Sequence, residues 1–440
     1  MKDPLYPFQN DAAARIAKGE PTYLGFDPGL GKSRTALEAA TRRAARRILV
    51  ICHASGRYVW QEQIRLWSTY HTTMVNHPAD LRGDGVKVVT YGLISMANGR
   101  IRDAVAKGEE YDMTILDEAA AVKNPASNRT KAILGQMLPK LGMVIPLSGT
   151  PAPNHAGELY PILRALYPQS LYDNGRMLEQ WRFEDHFCTV VLKRFGNSQP
   201  IRVVQGSKNL PELRKRIAGF MLRVRKEAVL KDLPPLRYDV VPIGVDKSVA
   251  SRLPELPEGM QEADVLQWLN SGDEHLMRVR RMLGVLKANP SVEYINDFLE
   301  NLPHDRKVLV FAHHKEVIQS LMGGLSDYSP AKIDGGSSNK ERDLAVTKFL
   351  NDPRCRVFVG NITAAGTGLT LVGPRCRCSD VIFVETSFSV GDNAQAAQRV
   401  HRIGQPSAVV ARFLTAHGTL DDTIQKILAR KAQDFQQLFN

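Results

Sequence analysis

The 440-residue sequence predicts an α/β protein, two parallel-sheet lobes carrying helical insertions. Three observations carry that expectation. Short apolar runs alternate with helical patterns at both ends of the chain. The centre lacks such runs and is polar and basic. No sequence repeat relates the two ends, so the lobes would share an architecture without sharing sequence.

In the first third the apolar runs are Thr22 to Phe26, Ile48 to Cys52, Val86 to Thr90, Met113 to Leu116 and Met143 to Leu147. In the last third they are Lys307 to Phe311, Arg356 to Gly360, Val381 to Val384 and Val409 to Leu414. Segments this short and apolar, set between helical patterns, read as strands covered on both faces. From Tyr167 to Lys231 the pattern reads as helical and polar, with Trp181, Phe183 and Phe187 as scattered anchors. Within it, Lys193 to Asp232 holds eleven Lys or Arg against three acids. Leu233-Pro234-Pro235 is a break, and a second helical stretch runs from Ser248 to Leu299, interrupted at Leu253 to Glu262. The expected division is 1–166, first lobe; 167–235, basic helical protrusion and return linker; 236–300, a strand and second helical protrusion; 301–440, second lobe with a C-terminal helix.

Fifty-eight Lys and Arg against forty-six Asp and Glu leave a formal charge of +12, which suits a polyanionic partner. No apolar run approaches the roughly 18 residues of a membrane span, and Met1-Lys2-Asp3-Pro4 leads into no signal segment. Five cysteines make no disulfide framework. Cys355, Cys376 and Cys378 lack a fourth ligand at zinc-site spacing. The expectation is a soluble intracellular protein, cytoplasmic in a bacterial cell or a phage-infected host, with no membrane partner. Arg42-Arg43-Ala44-Ala45-Arg46-Arg47 reads as the solvated face of a helix.

Asp27-Pro28-Gly29-Leu30-Gly31-Lys32-Ser33 follows an apolar strand and opens a helix expected over Arg34 to Arg47. Glycines there let backbone N–H groups close around phosphate oxygens at a helix N-terminus. Pro28, Gly29, Leu30, Gly31, Lys32 and Ser33 would form the cradle. Lys32 would reach the terminal phosphates and the Ser33 hydroxyl would ligate Mg²⁺. Phe26 stands where the strict phosphate-loop pattern has Gly. Thr114-Ile115-Leu116-Asp117-Glu118 is a strand ending in two acids: Asp117 could hold Mg²⁺ and Glu118 could polarise the attacking water. Near the other end, Gln395, Arg399 and Arg402 are expected on one helix, the arginines three apart on one face. Aimed at a γ-phosphate, they would stabilise transition-state charge.

Together these segments resemble the superfamily-two helicase and translocase motors of Swi/Snf type, most of all the annealing-helicase (HepA-related) branch. Tyr6-Pro7-Phe8-Gln9 is similar to the adenine-reading Gln segment, and Val50 to Ser55 with Trp60 to motif Ia. Asp117-Glu118-Ala119-Ala120 with Lys123-Asn124-Pro125 resembles the Walker B segment. Leu147-Ser148-Gly149-Thr150-Pro151, Asn154 and Glu158-Leu159-Tyr160 resemble motif III. Gly206, Asn209-Leu210, Met221 to Lys226 and Leu233-Pro234 resemble the branch's return path. Val310 to His314 resembles motif IV, Ile333 to Gly336 with Arg342 the "I-D-G" segment, and Ile362 to Thr370 motif V. Arg399-Val400-His401-Arg402-Ile403-Gly404-Gln405, then Gly418-Thr419 and Asp421-Asp422, complete the order.

The resemblance implies two RecA-like lobes, with ATP between them and double-stranded or branched DNA lying across both, in a monomeric motor. It implies that Gln9 reads adenine, that Gly366 and Gly368 meet the nucleotide, that Lys32 and Glu118 act in catalysis, and that Arg399 and Arg402 are arginine fingers. It places the DNA backbone against Ser55, Asn124, Thr150, His313 and Thr363. Ala120 departs from the family's polar residue, and Ser148 from its common Thr. The reading is an ATP-dependent DNA translocase that remodels or anneals DNA. The alternatives are a strand-separating DNA or RNA helicase and a weakly hydrolysing ATP-gated DNA clamp.

Overall fold

The computed structural model describes all residues except 1–3, 174, 194–200, 230–232, 246–273, 366–368, 370, 374–375, 388, 403–404, 417–418, 420, 423, 426–427 and 429–440. The chain divides into two compact units, with the boundary between Val229 and Leu230.

The first unit is built on strands β1 (Tyr23–Phe26), β2 (Arg47–Cys52), β3 (Thr72–Met74), β4 (Gly85–Thr90), β5 (Met113–Asp117) and β6 (Met143–Leu147). Beyond them come a short ribbon, β7 (Tyr172–Asp173) with β8 (Arg176–Met177), and the strands β9 (Cys188–Lys193), β10 (Ile201–Ser207) and β11 (Met221–Val224). Seven of these form one parallel sheet in the order β11-β1-β6-β5-β2-β4-β3. Helices α1 (Pro7–Ala17), α2 (Lys32–Arg42) and α3 (Arg57–Trp67) pack beside it. Every residue of β1 and β4 is buried, as a parallel sheet covered on both faces requires.

Three expectations in this unit are corrected. The basic middle is not all helical: β9 and β10 form an antiparallel hairpin, and β11 leaves the insertion to pair with β1 in register Tyr23↔Met221 to Phe26↔Val224. Val190, Val191, Val203 and Val204 give this stretch strand character that its charge conceals. Phe183 and Phe187 are core residues, but Trp181 is half exposed, with Arg182 over its ring. The helix after the phosphate loop ends at Arg42. Ala44 takes a left-handed φ of 53°, and Arg47 already begins β2. The arginine run therefore shares no helix face: Arg42 pairs with Glu38, Arg46 with Asp84 and Arg47 with Glu109.

The second unit holds β12 (Leu236–Ile243), β13 (Arg306–Ala312), β14 (Ala331–Ile333), β15 (Val357–Asn361), β16 (Arg377–Phe383) and β17 (Val409–Ala416). They form a six-stranded parallel sheet in the order β12-β17-β16-β13-β15-β14. Alternate residues of β13 enter different cores: Leu309 and Phe311 on one face, Val308 and Val310 on the other. Of the second helical stretch, helix Glu274–Glu300 is described; the interruption at Leu253 to Glu262 lies outside the described residues. Cys355, Cys376 and Cys378 are all buried, and burial pushes each thiol up, that of Cys376 to about 11.

Candidate nucleotide and nucleic-acid sites

In the first sheet, β1, β6 and β5 are neighbours and parallel, so their carboxyl ends open on one edge. That edge is where open α/β sheets bind ligands. It brings together the loop after β1 (Asp27 to Gly31), the pair Asp117-Glu118 at the end of β5, and Ser148-Gly149-Thr150 after β6. Phe26, the departure from the strict pattern, is the last residue of β1. It lies wholly in the core with the Phe8 ring edge-on at 5.4 Å, so a strand side chain is needed there.

The loop itself is tightly specified. Gly29 and Gly31 have φ of 89° and 76°, in the region that favours glycine. Above it sits Gln9 of α1: its amide nitrogen donates to the Leu30 carbonyl at 3.0 Å, and its Oε1 accepts from the Tyr6 N–H at 3.0 Å. A Cβ on Gly31 would come within 2.4 Å of the Gln9 amide nitrogen, so a side chain there would push Gln9 off the Leu30 carbonyl. A Cβ on Gly149 would lie 2.6 Å from Pro28 Cδ, so the turn after β6 rests on the loop with no room between. Lys32 and Ser33 open α2, and Lys32 Nζ donates to the Phe26 carbonyl at 2.9 Å. Burial lowers the Lys32 pKa, while Glu118, Asp117 and Asp27 hold the charge on.

Asp117 is gripped from two sides. The Trp60 indole N–H donates to its Oδ2 at 2.8 Å, and the Tyr91 hydroxyl to its carbonyl at 2.9 Å. Burial, then the adjacent Glu118, pushes its carboxyl up; the indole N–H and Lys32 oppose that shift. Glu118 has left-handed backbone, φ 50° and ψ 59°. For a side chain of this size that is a strained conformation of the kind that collects at functional sites. Ser148 Oγ donates to Glu118 Oε2 at 3.4 Å and accepts from the Thr150 N–H at 3.1 Å. One hydroxyl thus joins the acid to the next turn without help from Ala120, which lies in the short turn Ala119–Val122.

A hydroxyl and a carboxylate are hard oxygen donors, and no cluster of three or more metal-ligating side chains exists among the described residues. That donor set fits Mg²⁺, which keeps most of its waters and shares itself with nucleotide phosphates, rather than a metal caged by protein.

The other expected contacts are scattered over both units. Asn124 is exposed, its Oδ1 accepting from the Ala126 N–H, beside Lys123 paired with Glu158 at 2.7 Å. Ser55 lies in the turn Ala54–Gly56 directly before α3, and Thr363 in the helix Ile362–Ala365 after β15; their side chains lie outside the described residues. So do Gly366 and Gly368.

In the second unit, β13 ends at Ala312, and Glu385 follows β16, its neighbour. Glu385 Oε2 accepts from the backbone N–H groups of His313 and His314 at 2.8 and 2.9 Å, and its Oε1 lies 2.6 Å from His314 Nδ1. Burial first, then Arg280 and His314, push the His313 imidazole down to about 4. Arg399 and Arg402 are not on a helix. The helix Val390–Ala397 includes Gln395 and ends before them. The chain then turns, anchored by His401 on the Pro234 carbonyl at 2.7 Å and by Gln405 Nε2 on the carbonyls of Cys378 and Val400. Arg399 Nη1 donates to Leu369 O at 3.0 Å and Arg402 Nε to Gln398 O at 3.1 Å. Burial lowers the Arg402 guanidinium to about 10.

Four residues that build these sites had no role in the sequence reading: Asp27 and Arg223, which stood unassigned inside quoted segments, and Tyr91 and Glu385, which it did not name. Arg223 of β11 bonds Asp27 Oδ1 at 2.6 Å and the carbonyls of Gly25 and Gly149, while the Lys226 N–H donates to Asp27 Oδ2 at 3.0 Å. Glu385 had a signal, since the apolar run Val381 to Val384 is followed directly by an acid, as Thr114 to Leu116 is.

No described helix is long and apolar enough to cross a membrane. Residues 22–287 match the SNF2-related domain and residues 291–404 the helicase conserved C-terminal domain. The chain is 30% identical to the human DNA annealing helicase and endonuclease ZRANB3, over 98% of this chain and 40% of that protein. It is also 30% identical to the Caenorhabditis elegans SWI/SNF-related matrix-associated actin-dependent regulator of chromatin subfamily A-like protein 1 homolog, over 97% of this chain and 61% of that protein. It therefore spans about two fifths to three fifths of the length of these relatives. A solved structure, the Sulfolobus solfataricus SWI2/SNF2 ATPase core in complex with dsDNA, aligns over 100% of this chain and 93% of that one, at 23% identity and a TM-score of 0.45. With more than half of its length matched by the first domain alone, the chain belongs to the SNF2-related family.

Proposed function

We propose that the chain is an ATP-driven DNA translocase that tracks on double-stranded or branched DNA and anneals or remodels it. The observation that carries this reading is the shared edge of β1, β6 and β5, where a glycine cradle, a carboxylate for a metal and a strained second carboxylate converge. Gln9 would select adenine, the Gly29 to Ser33 backbone would hold phosphates, and Lys32 would neutralise the terminal ones. Bound Mg²⁺, on Ser33 and Asp117, would supply charge to the β- and γ-phosphates. Glu118 would orient and deprotonate water, with Ser148 fixing its carboxylate. Arg399 and Arg402 belong to the other unit, so hydrolysis would require the two units to meet around the nucleotide. DNA held by both, through the segments at Ser55, Asn124, Thr150, His313 and Thr363, would favour that meeting. The annealing relatives support the choice of reaction among the family's possibilities, and the motor would act as a monomer.

The test is ATP turnover measured side by side with no nucleic acid, single strands, duplex, forked DNA and RNA, together with annealing of complementary strands. Stimulation by duplex or forked DNA with strand annealing supports the proposal. Stimulation by RNA alone, or net strand separation, moves the reading to a helicase; DNA binding gated by ATP with negligible turnover moves it to a clamp.

A further inference from the structure

Asp117 is the one carboxylate proposed for the metal, and a carboxylate on the end of a strand can rotate about two bonds. What stops it is an aromatic side chain from a different motif. Trp60 is 1% exposed, and its indole N–H, which can only donate, spends its single hydrogen bond on Asp117 Oδ2 at 2.8 Å. Gly56, at the start of the same helix, lies close enough that a Cβ there would be 3.7 Å from the same oxygen. The Tyr91 hydroxyl fixes the Asp117 carbonyl, and the Tyr91 ring lies 5.2 Å from that of His53. Gly56 and Trp60 therefore flank the Asp117 carboxylate, although they belong to the turn after β2 and to α3 rather than to β5. The arrangement also joins two functions. Helix α3 starts at Arg57, directly after the Ala54–Gly56 turn that holds Ser55. The Ser55 turn thus runs directly into the helix that carries the indole, which is one hydrogen bond from the carboxylate.

We infer that Trp60 is a positioning residue that sets the metal affinity of Asp117 and transmits engagement of the Ser55 turn by DNA to the metal. The inference rests on the proposed role of Asp117 as the Mg²⁺ ligand. Hydrogen bonds that orient a ligand from behind typically carry a 10–100-fold share of metal affinity. Trp60→Phe removes the donor and keeps an aromatic ring.

The experiment is equilibrium binding of a fluorescent ATP analogue as Mg²⁺ is titrated, with EDTA-treated protein as the metal-free reference. Trp60→Phe is expected to raise the Mg²⁺ midpoint about tenfold while nucleotide binding without metal is unchanged. An unmoved midpoint, or an equal loss of metal-free binding, overturns the role of Trp60. Asp117→Asn serves as the control for the underlying reading: if it leaves the midpoint unmoved, Asp117 is no ligand and the site assignment itself fails. Duplex DNA is expected to shift the wild-type midpoint and leave the Trp60→Phe midpoint in place; equal movement in both, or none in either, overturns the transmission. A second measurement needs no change at residue 60. With Trp67, Trp181 and Trp268 replaced by Phe, the chain has one indole N–H resonance, expected to move when Mg²⁺ joins bound nucleotide. A stationary resonance overturns the proposal.

Discussion

Arg223 and Asp27 are 196 residues apart in sequence, yet the guanidinium lies 2.6 Å from the carboxylate, both largely buried at the mouth of the phosphate loop. The same arginine reaches the carbonyls of Gly25 and Gly149, so one side chain holds β1, the loop and the turn after β6 together. Arg223→Ala leaves a buried carboxylate without its cation, which should cost roughly 3 kcal/mol of stability, read by urea unfolding. Nucleotide affinity should fall with it. Arg223→Lys keeps the charge but not the fork and should recover only part of each loss. Full nucleotide affinity in Arg223→Ala would show that the loop holds its shape alone.

Glu118→Gln should abolish turnover by about 10³-fold or more while ATP still binds, because it removes a base and no phosphate contact. Arg399→Ala and Arg402→Ala should show a similar loss with near-normal ATP binding. Rapid-quench hydrolysis beside equilibrium nucleotide binding separates the two effects. Fully active arginine variants would remove these residues from the reaction.

Ser148 is the atom-level link between Glu118 and Thr150. Ser148→Ala should therefore lower DNA stimulation of turnover more than turnover without DNA, and Ser148→Thr, which keeps the hydroxyl, should preserve it. Ala120→His, by contrast, adds a ring where the link is already made. The ratio of ATP consumed to strand annealed, compared across the three variants, decides which residue carries the communication.

Salt dependence tests the basic insertion. Arg216 is committed to Glu212 at 2.7 Å and to the Tyr172 carbonyl, so it does not count toward phosphate binding. Arg214 and Lys215 are exposed on the same helix, Leu210–Ile217. Changing both to Gln should reduce the log–log salt slope of duplex binding by about 0.9 for each phosphate that these side chains neutralise. An unchanged slope assigns them to a solvated face.

His313 gives a pH prediction. Its folded pKa of about 4 lies below the ordinary value of 6.5, because burial first, then Arg280 and His314, disfavour the imidazolium; Glu385 works against the shift. The unfolded chain then binds more protons between pH 4 and 6.5, so stability rises with pH across that window. The contribution is complete above about 6.5 and is lost as pH falls toward 4. His313→Asn should flatten the pH dependence of thermal unfolding in that interval. An identical slope would assign it to other groups.

The fold class was legible because parallel strands write themselves as short apolar runs, and the runs ending at Phe26 and Leu116 led straight to the loop and the two acids. The insertion was harder. Strand β11 carries Arg223 in a stretch dominated by charge, and its apolar character is spread over only four residues. What the cation does depends on Asp27, which no local pattern can supply. Arg399 and Arg402 were identified, but their helix was not real. Residue spacing alone cannot show that His401 and Gln405 bind carbonyls elsewhere and end the helix at Ala397. Trp60 was visible as a member of a motif, while its bond to Asp117 belongs to tertiary packing alone.

The pairing of β1 with β11 also orders events during biosynthesis. The phosphate loop leaves the ribosome well before the strand that completes its sheet edge and the arginine that neutralises Asp27, which come nearly 200 residues later. At translation rates of about 5–20 residues per second that interval is roughly 10–40 s. Until then β1 presents an open edge and Asp27 has no cation from Arg223, so a nascent chain shorter than Val224 cannot assemble a finished nucleotide site. The surroundings of the loop at residue 27 are thus complete only when β11, the last strand of the first sheet to be made, arrives.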